Sequence, residues 1–248
     1  LTASSASTTY PASNIITDNY ADVWRSTAAG GSAETIVADF GTAKSISACA
    51  LGNVNFQSTA TVKIQGNATN SWGAPSVDQT IVTSGLNGYV RCLYHEFNSA
   101  SYRYWRISVT DSGNADGFIE IGEWFLGNAI TPSDGIDAGI PRRLTRGNVE
   151  LRTEYNQAYV YAKDYSWQFD LSMTNVQKAA VTELQTLSYY TQGNKLPWFF
   201  VLDPTSPAEA YYVRISSDLE VGRVGHDRYT AHFSVTEETP GLIVPRSA

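Results

Sequence analysis

The chemistry this chain could perform rests on few side chains. Its three histidines are His95, His226 and His232. His95 stands beside Glu96 in an apolar run, so the two point to opposite faces of a strand; His226-Asp227 falls in a glycine-bounded turn; His232 lies on the polar face of a late strand. Glu120 and Glu123 flank Ile121-Gly122 and would be the only pair worth testing as glycosidase carboxylates, but they read as surface or edge groups. The chain contains no GxSxG, HExxH, phosphate-loop or GxGxxG motif. No catalytic residue is predicted, and the chain is read as a non-enzyme.

Binding is the stronger expectation. Tyr20, Trp72 and Tyr89 are aromatics set beside polar, turn-rich segments. Aromatic faces stack on the C–H side of sugar rings, while nearby Asn, Asp or Arg groups supply directional hydrogen bonds. Trp72, in Asn70-Ser71-Trp72-Gly73, is the best single candidate for an exposed platform, evenly matched by its reading as a loop anchor folded back on the sandwich; Trp24 and Trp105 read as core.

The elements that must hold these groups are mostly strands. Charged residues make up 17% of the 248 and aromatics 12%, with a net charge of −7. Gly, Ser, Thr and Asn are abundant, which favours an all-β chain with many turns. The acidic balance disfavours binding to a phosphate backbone, so no sequence-specific nucleic-acid role is expected. No apolar run reaches the ~18 residues that read as a spanning helix, so no membrane insertion is expected. Cys49 and Cys92 sit in apolar runs and read as buried free thiols, with a disulfide between them as the alternative.

The organising stretch is Ser101 to Gly127. Trp105, Ile107 and Val109 share one face of a strand, Arg106 and Ser108 the other. A polar, flexible loop from Asp111 to Gly117 leads to a second apolar strand. Upstream, Thr35–Phe40, stopped by Gly41, then Ser45–Phe56, Thr61–Gly66, Gln79–Thr83 and Tyr89–Phe97 read as separate strands. Residues 1–128 thus form a predicted jelly-roll β-sandwich. Residues 129–148 read as a linker with a basic cluster at Arg142, Arg143 and Arg146, either solvated charge or a docking strip for an acidic neighbouring subunit. Residues 149–239 read as a β-sandwich or barrel with one packed helix, 175–190. Val176, Ala180, Leu184 and Leu187 would form its buried stripe, Thr174 and Gln177 a capping box, and Gly193 its stop. Residues 240–248 read as a tail, disordered or an arm reaching a neighbour.

The first half resembles the discoidin or coagulation-factor type C family of galactose-binding-like jelly rolls. The matching residues are Pro11-Ala12-Ser13-Asn14, Trp24-Arg25-Ser26, Val37-Ala38-Asp39-Phe40-Gly41, Tyr104-Trp105-Arg106-Ile107 and Ile121-Gly122-Glu123-Trp124-Phe125-Leu126-Gly127. The resemblance implies glycan binding and a calcium loop before Trp24, with Asn14, Asp18, Asn19 and Asp22 as candidate ligands. Family members carry an Asp and a Thr where this chain has Thr17 and Asp22, and the family's terminal disulfide is absent.

The second half resembles the tail-tube and tail-hub proteins of long-tailed phages, on Ser166-Trp167-Gln168-Phe169-Asp170-Leu171, Phe200-Val201-Leu202-Asp203-Pro204 and Ser234-Val235-Thr236-Glu237-Glu238. That resemblance implies a virion structural protein, self-assembled into a tube, hub or baseplate ring with other tail proteins, its jelly roll touching host-surface glycan. The alternative is a secreted or cell-surface carbohydrate-binding module with an accessory β domain.

Overall fold

The computed structural model is mainly β and antiparallel. It describes residues 1–28, 31–86, 92–132, 135–137, 139–146, 149–152, 154, 156–161, 165–204, 206 and 209–239. The chain divides into two compact units, the first built on 1–129 with 199–211, the second, among the described residues, on 130–198 and 212–239. The predicted tail, 240–248, lies outside the described residues.

The first unit holds strands β1 (Thr2–Ala3), β2 (Trp24–Arg25), β3 (Glu34–Gly52), β4 (Thr61–Asn67), β5 (Val77–Ile81), β6 (Leu93–Thr110), β7 (Glu120–Ile121) and β8 (Glu123–Gly127). One sheet runs β1-β3-β6-β4-β5 with β8 also on β3, and β2 pairs β7. β3 is one strand, not the two predicted. Gly41, at φ 72°, bends the chain instead of ending it, and the register with β6 shifts between Asp39 and Lys44. The two expected strands around Phe97 and Trp105 are likewise one, β6. The first part of β3 pairs β1 and the last part of β6, whereas its second part pairs β8 and the first part of β6. Two long strands therefore carry most of the pairing in this six-stranded sheet. The predicted inward face holds: Trp105, Ile107 and Val109 are buried with Ile36, Val62, Ile64 and Trp24. Cys49 and Cys92 are buried free thiols, as expected, and burial pushes the Cys49 thiol up to about 12.

The Asp111–Gly117 loop is tied down, contrary to the flexible loop expected. Asp111 accepts from the Gln57 N–H at 2.9 Å, and Asn55 donates to Asp116 at 3.0 Å and to the Phe118 carbonyl at 2.9 Å.

The rest of the chain adds β9 (Arg142–Arg146), β10 (Val149–Arg152), β11 (Ala158–Tyr161), β12 (Tyr165–Val176), helix α1 (Lys178–Tyr190), β13 (Trp198–Val201), β14 (Ala210–Ile215), β15 (Glu220–Gly225) and β16 (Arg228–Glu237). The sheet order is β13-β14-β16-β12-β9 with β15 on β16; β10 and β11 form a separate ribbon. Ala180 and Leu184 of the expected stripe are buried on α1 and Leu187 is half-buried, but Val176 is the last residue of β12, so the helix begins at Lys178 and not at 175. The capping box does not form: Thr174 lies in β12 and its hydroxyl donates to Asp137 at 3.2 Å, while Gln177 caps the helix without a side-chain bond. Gly193, at φ 70°, donates its N–H to Ser188 O and ends the helix as predicted. The linker prediction fails at its centre. Residues 142–146 are an edge strand whose inward neighbour is β12, a role that the surrounding Pro and Gly composition concealed.

Glu237 accepts the Trp167 N–H at 3.0 Å in this sheet. Burial pushes its carboxyl up to about 7, and that hydrogen bond pulls only partly against it. A folded-state value above the unfolded one means the fold favours the protonated acid. Its contribution is complete below the ordinary range near 4.5 and is lost as pH rises through about 7. Glu237→Gln is therefore expected to match the parent at pH 4 and to exceed it by about 1–3 kcal/mol at pH 8, read by urea unfolding at both values.

Candidate functional site

The outer face of the first sheet collects one continuous chain of polar contacts. Register sets it: Gln65 of β4 lies opposite Asp78 of β5 on one side and Arg106 of β6 on the other. Strand alternation turns all three away from the Ile64–Ile107 core. Lys63 Nζ donates to Asp78 Oδ2 at 3.1 Å, and Gln65 Nε2 donates to Asp78 Oδ1 at 3.0 Å. Arg106 Nε donates to Gln65 Oε1 at 2.7 Å. The Arg106 guanidinium stacks 4.5 Å from the centre of the Trp72 ring. Trp72 Nε1 donates to Asn70 Oδ1 at 2.7 Å. Gln65 is buried and Asp78 exposed, while Trp72 and Arg106 are half-buried.

The β4–β5 loop that carries Trp72 is held by its own first residue. Asn67 donates to Ser71 O at 2.7 Å and accepts from the Ala68 N–H and the Ser76 hydroxyl. The indole is thus not a fully exposed platform but is folded back on the sheet: it lies against Arg106 with its N–H engaged, and the residue is half-buried. Asp78 is ionised below the ordinary carboxylate range: burial opposes this, but hydrogen bonds from Gln65 and Lys63 and the charges of Lys63 and Arg106 outweigh it. Burial in turn lowers the Arg106 guanidinium, against the Asp78 charge.

Residues 1–86 match the family model of the XRCC1 N terminal domain. That match spans less than half of the chain. No curated protein matches the chain. Among solved structures, the chitosan-binding module 1 from the chitosanase/glucanase of Paenibacillus sp. IK-5 is 22% identical at a TM-score of 0.40, covering 50% of this chain and 91% of that one. The family 32 CBM of C. perfringens NanJ, solved with galactose, is 19% identical at 0.39, covering 50% and 90%. CBM32-3 from a family 31 glycoside hydrolase of Clostridium perfringens is 13% identical at 0.42, covering 52% and 89%.

The other predicted aromatics do not join Trp72. Tyr20 is buried, not a surface platform. Its hydroxyl lies 3.0 Å from Cys92 Sγ and accepts the Asn53 N–H at 2.8 Å, so the phenol closes a core contact. Tyr89 lies outside the described residues.

The calcium loop is closed by its own groups. Thr17 Oγ1 donates to Asn14 O at 3.0 Å and to Asp22 Oδ2 at 3.2 Å. Asn14 donates its amide to Val23 O, and Asn19 Oδ1 accepts the Ala21 N–H. Asp18 is exposed, at φ 57°. Among the described residues no three His, Cys, Asp or Glu side chains gather as a metal group. With the hydroxyl and the carboxylate at positions 17 and 22 bonded to each other, the residues present do not fit the calcium set that the resemblance implied.

Glu120 and Glu123 are both buried, which corrects the surface reading. Glu120 accepts from Arg25 Nε at 2.6 Å, so it holds a cation of the fold and is not a free acid. His226 and Asp227 are exposed in the β15–β16 turn, with Asp227 at φ 53°. His95 stacks near Phe97 at 6.1 Å, and burial lowers its imidazole below the usual range. In the basic cluster, Arg142 stacks 5.4 Å from the Trp167 ring and Arg143 lies 3.7 Å from Asp170, both exposed on β9. Arg146 belongs to that strand.

Sequence reasoning found Trp72 and missed Lys63, Gln65, Asp78 and Arg106. Their outward alternation was a signal, but only inter-strand register brings them side by side.

Proposed function

We propose that the chain is a saccharide-binding module, secreted or at a cell surface, whose first unit carries the binding face and whose second unit is an accessory β domain. The observation that carries this is the Trp72–Arg106 stack on an ordered loop. A half-open indole supplies an apolar face for sugar C–H groups, and an adjacent guanidinium supplies directional donors. No bond-making is involved. On a printed glycan array the intact chain is expected to bind at least one glycan. Trp72→Ala is expected to lose at least about tenfold in affinity, as truncation of an aromatic anchor does. An intact chain that binds nothing, or a folded Trp72→Ala protein that binds as well as its parent, would reject the assignment.

A second reading, a phage-tail ring subunit in the virion, is kept on one observation. Strand β15 is exposed along its whole length, including Val221 and Val224, and Tyr189 and Tyr190 are exposed at the end of α1. Unpaired strand edges with apolar side chains suit pairing between copies, and the exposed Arg142 and Arg143 of β9 suit an acidic neighbour. Light scattering across a concentration series separates the two: rings favour the tail subunit, a persistent monomer the free module.

A further inference from the structure

The polar chain on the first sheet leaves one charged donor group unspent. Asp78 uses Oδ1 for Gln65 and Oδ2 for Lys63, Gln65 uses both ends of its amide, and Trp72 uses its N–H on Asn70. Arg106 spends Nε on Gln65 and its flat face on Trp72. Among the described residues, nothing accepts from its two terminal nitrogens. The guanidinium is nevertheless fixed, since Gln65 beneath it is buried and is itself held by Asp78.

Resting on the saccharide reading above, we infer that the sugar recognised here carries a carboxylate, which the terminal N–H groups of Arg106 take as a two-pronged partner while the ring stacks on Trp72. Three points favour an acid over a neutral sugar. A planar fork of N–H groups matches carboxylate geometry, and hydrogen bonds between ions are roughly twice as strong as neutral ones. Lys63 and Arg106 give two cations against the single carboxylate of Asp78, so the patch is locally positive. Both Asp78 oxygens already accept, from Gln65 and from Lys63, so the single carboxylate of the patch is partly offset by its own donors. The net charge of −7 sets a limit on ligand type. A long polyanion is repelled by the chain as a whole, so the fitting ligand is a glycan with one acidic sugar and not an acidic polymer.

The test prints glycans ending in galacturonic, glucuronic, mannuronic or sialic acid, each beside its carboxyl-reduced neutral twin, and probes the array with the full chain. Signal on acids with at least about tenfold loss on their twins supports the inference. Arg106→Gln should then bind acid and twin alike, and Arg103→Gln, the same charge loss nearby on β6, should still prefer the acid. If Arg106→Gln fails to fold, the acid-to-twin ratio of the parent decides alone. Equal signal on acid and twin overturns the carboxylate while the saccharide module stands. No signal on any glycan overturns both.

Discussion

Arg25→Ala is expected to cost about 3–5 kcal/mol of folding stability, the largest effect of any exposed or half-exposed position in the first unit. The guanidinium of Arg25 lies between two rings, 4.0 Å from the centre of Tyr10 and 4.6 Å from that of Phe118. Its Nε meets Glu120 Oε2 at 2.6 Å, where the Glu120 side chain is 5% exposed. Truncation removes the cation beside a buried carboxylate, which costs far more than the pair itself contributes. Denaturant unfolding of Arg25→Ala, Glu120→Ala and the double variant checks this. The double variant should recover much of the loss. If Arg25→Ala loses no more than Arg103→Ala, whose partner Asp39 is exposed, the Arg25–Glu120 pair does not organise the fold.

Asn55→Ala ranks second, at about 2–4 kcal/mol. Asn55 Oδ1 accepts the Glu120 N–H at 2.8 Å, while Nδ2 donates to Asp116 Oδ2 and to Phe118 O. One side chain therefore closes the 111–118 loop onto β7. Removing it takes one hydrogen bond each from a backbone N–H, a backbone carbonyl and a carboxylate oxygen. Asn55→Asp should be as damaging, since it keeps the acceptor but sets a second carboxylate against Asp116. Hydrogen exchange at Glu120 gives an independent check: its amide should lose most of its protection in either variant. Retained protection would mean that the loop is held by other contacts.

The parts of this fold legible in the sequence are those set by nearest neighbours. Alternation at Trp105, Ile107 and Val109 named the core face, and the Ala180–Leu184 spacing named the buried side of α1, while Val176 went to β12. Trp24-Arg25-Ser26 read as one motif, and each member has a packing role. Trp24 is buried and donates to Ser5 O, Arg25 pairs Glu120, and the Ser26 hydroxyl accepts the Ile119 N–H. What local pattern could not show is long-range pairing. Strand β15 has two glycines and no buried face, so nothing in Glu220–Gly225 alternates; it is a strand because β16 pairs with it. Gly41 reads as a stop because glycine usually ends strands, yet here β3 resumes against the same partner. Tyr20 reads as a surface aromatic until Asn53 and Cys92, distant in sequence, are placed at its hydroxyl. The binding face follows the same rule. Trp72 was visible from its loop, but Arg106 became a candidate only when register set it beside Gln65.

The central claim is that sugar binds at Trp72. It is tested most directly by titrating a glycan identified on the array into uniformly 15N-labelled protein and following the six tryptophan indole N–H resonances. Trp72→Phe assigns the one that matters. The claim predicts that the Trp72 indole signal shifts on titration, saturably and together with the backbone amides of Asn70, Ser71 and Arg106, while the buried Trp24 and Trp105 signals stay in place. Saturable shifts confined to another part of the molecule, with Trp72 unmoved, would contradict it.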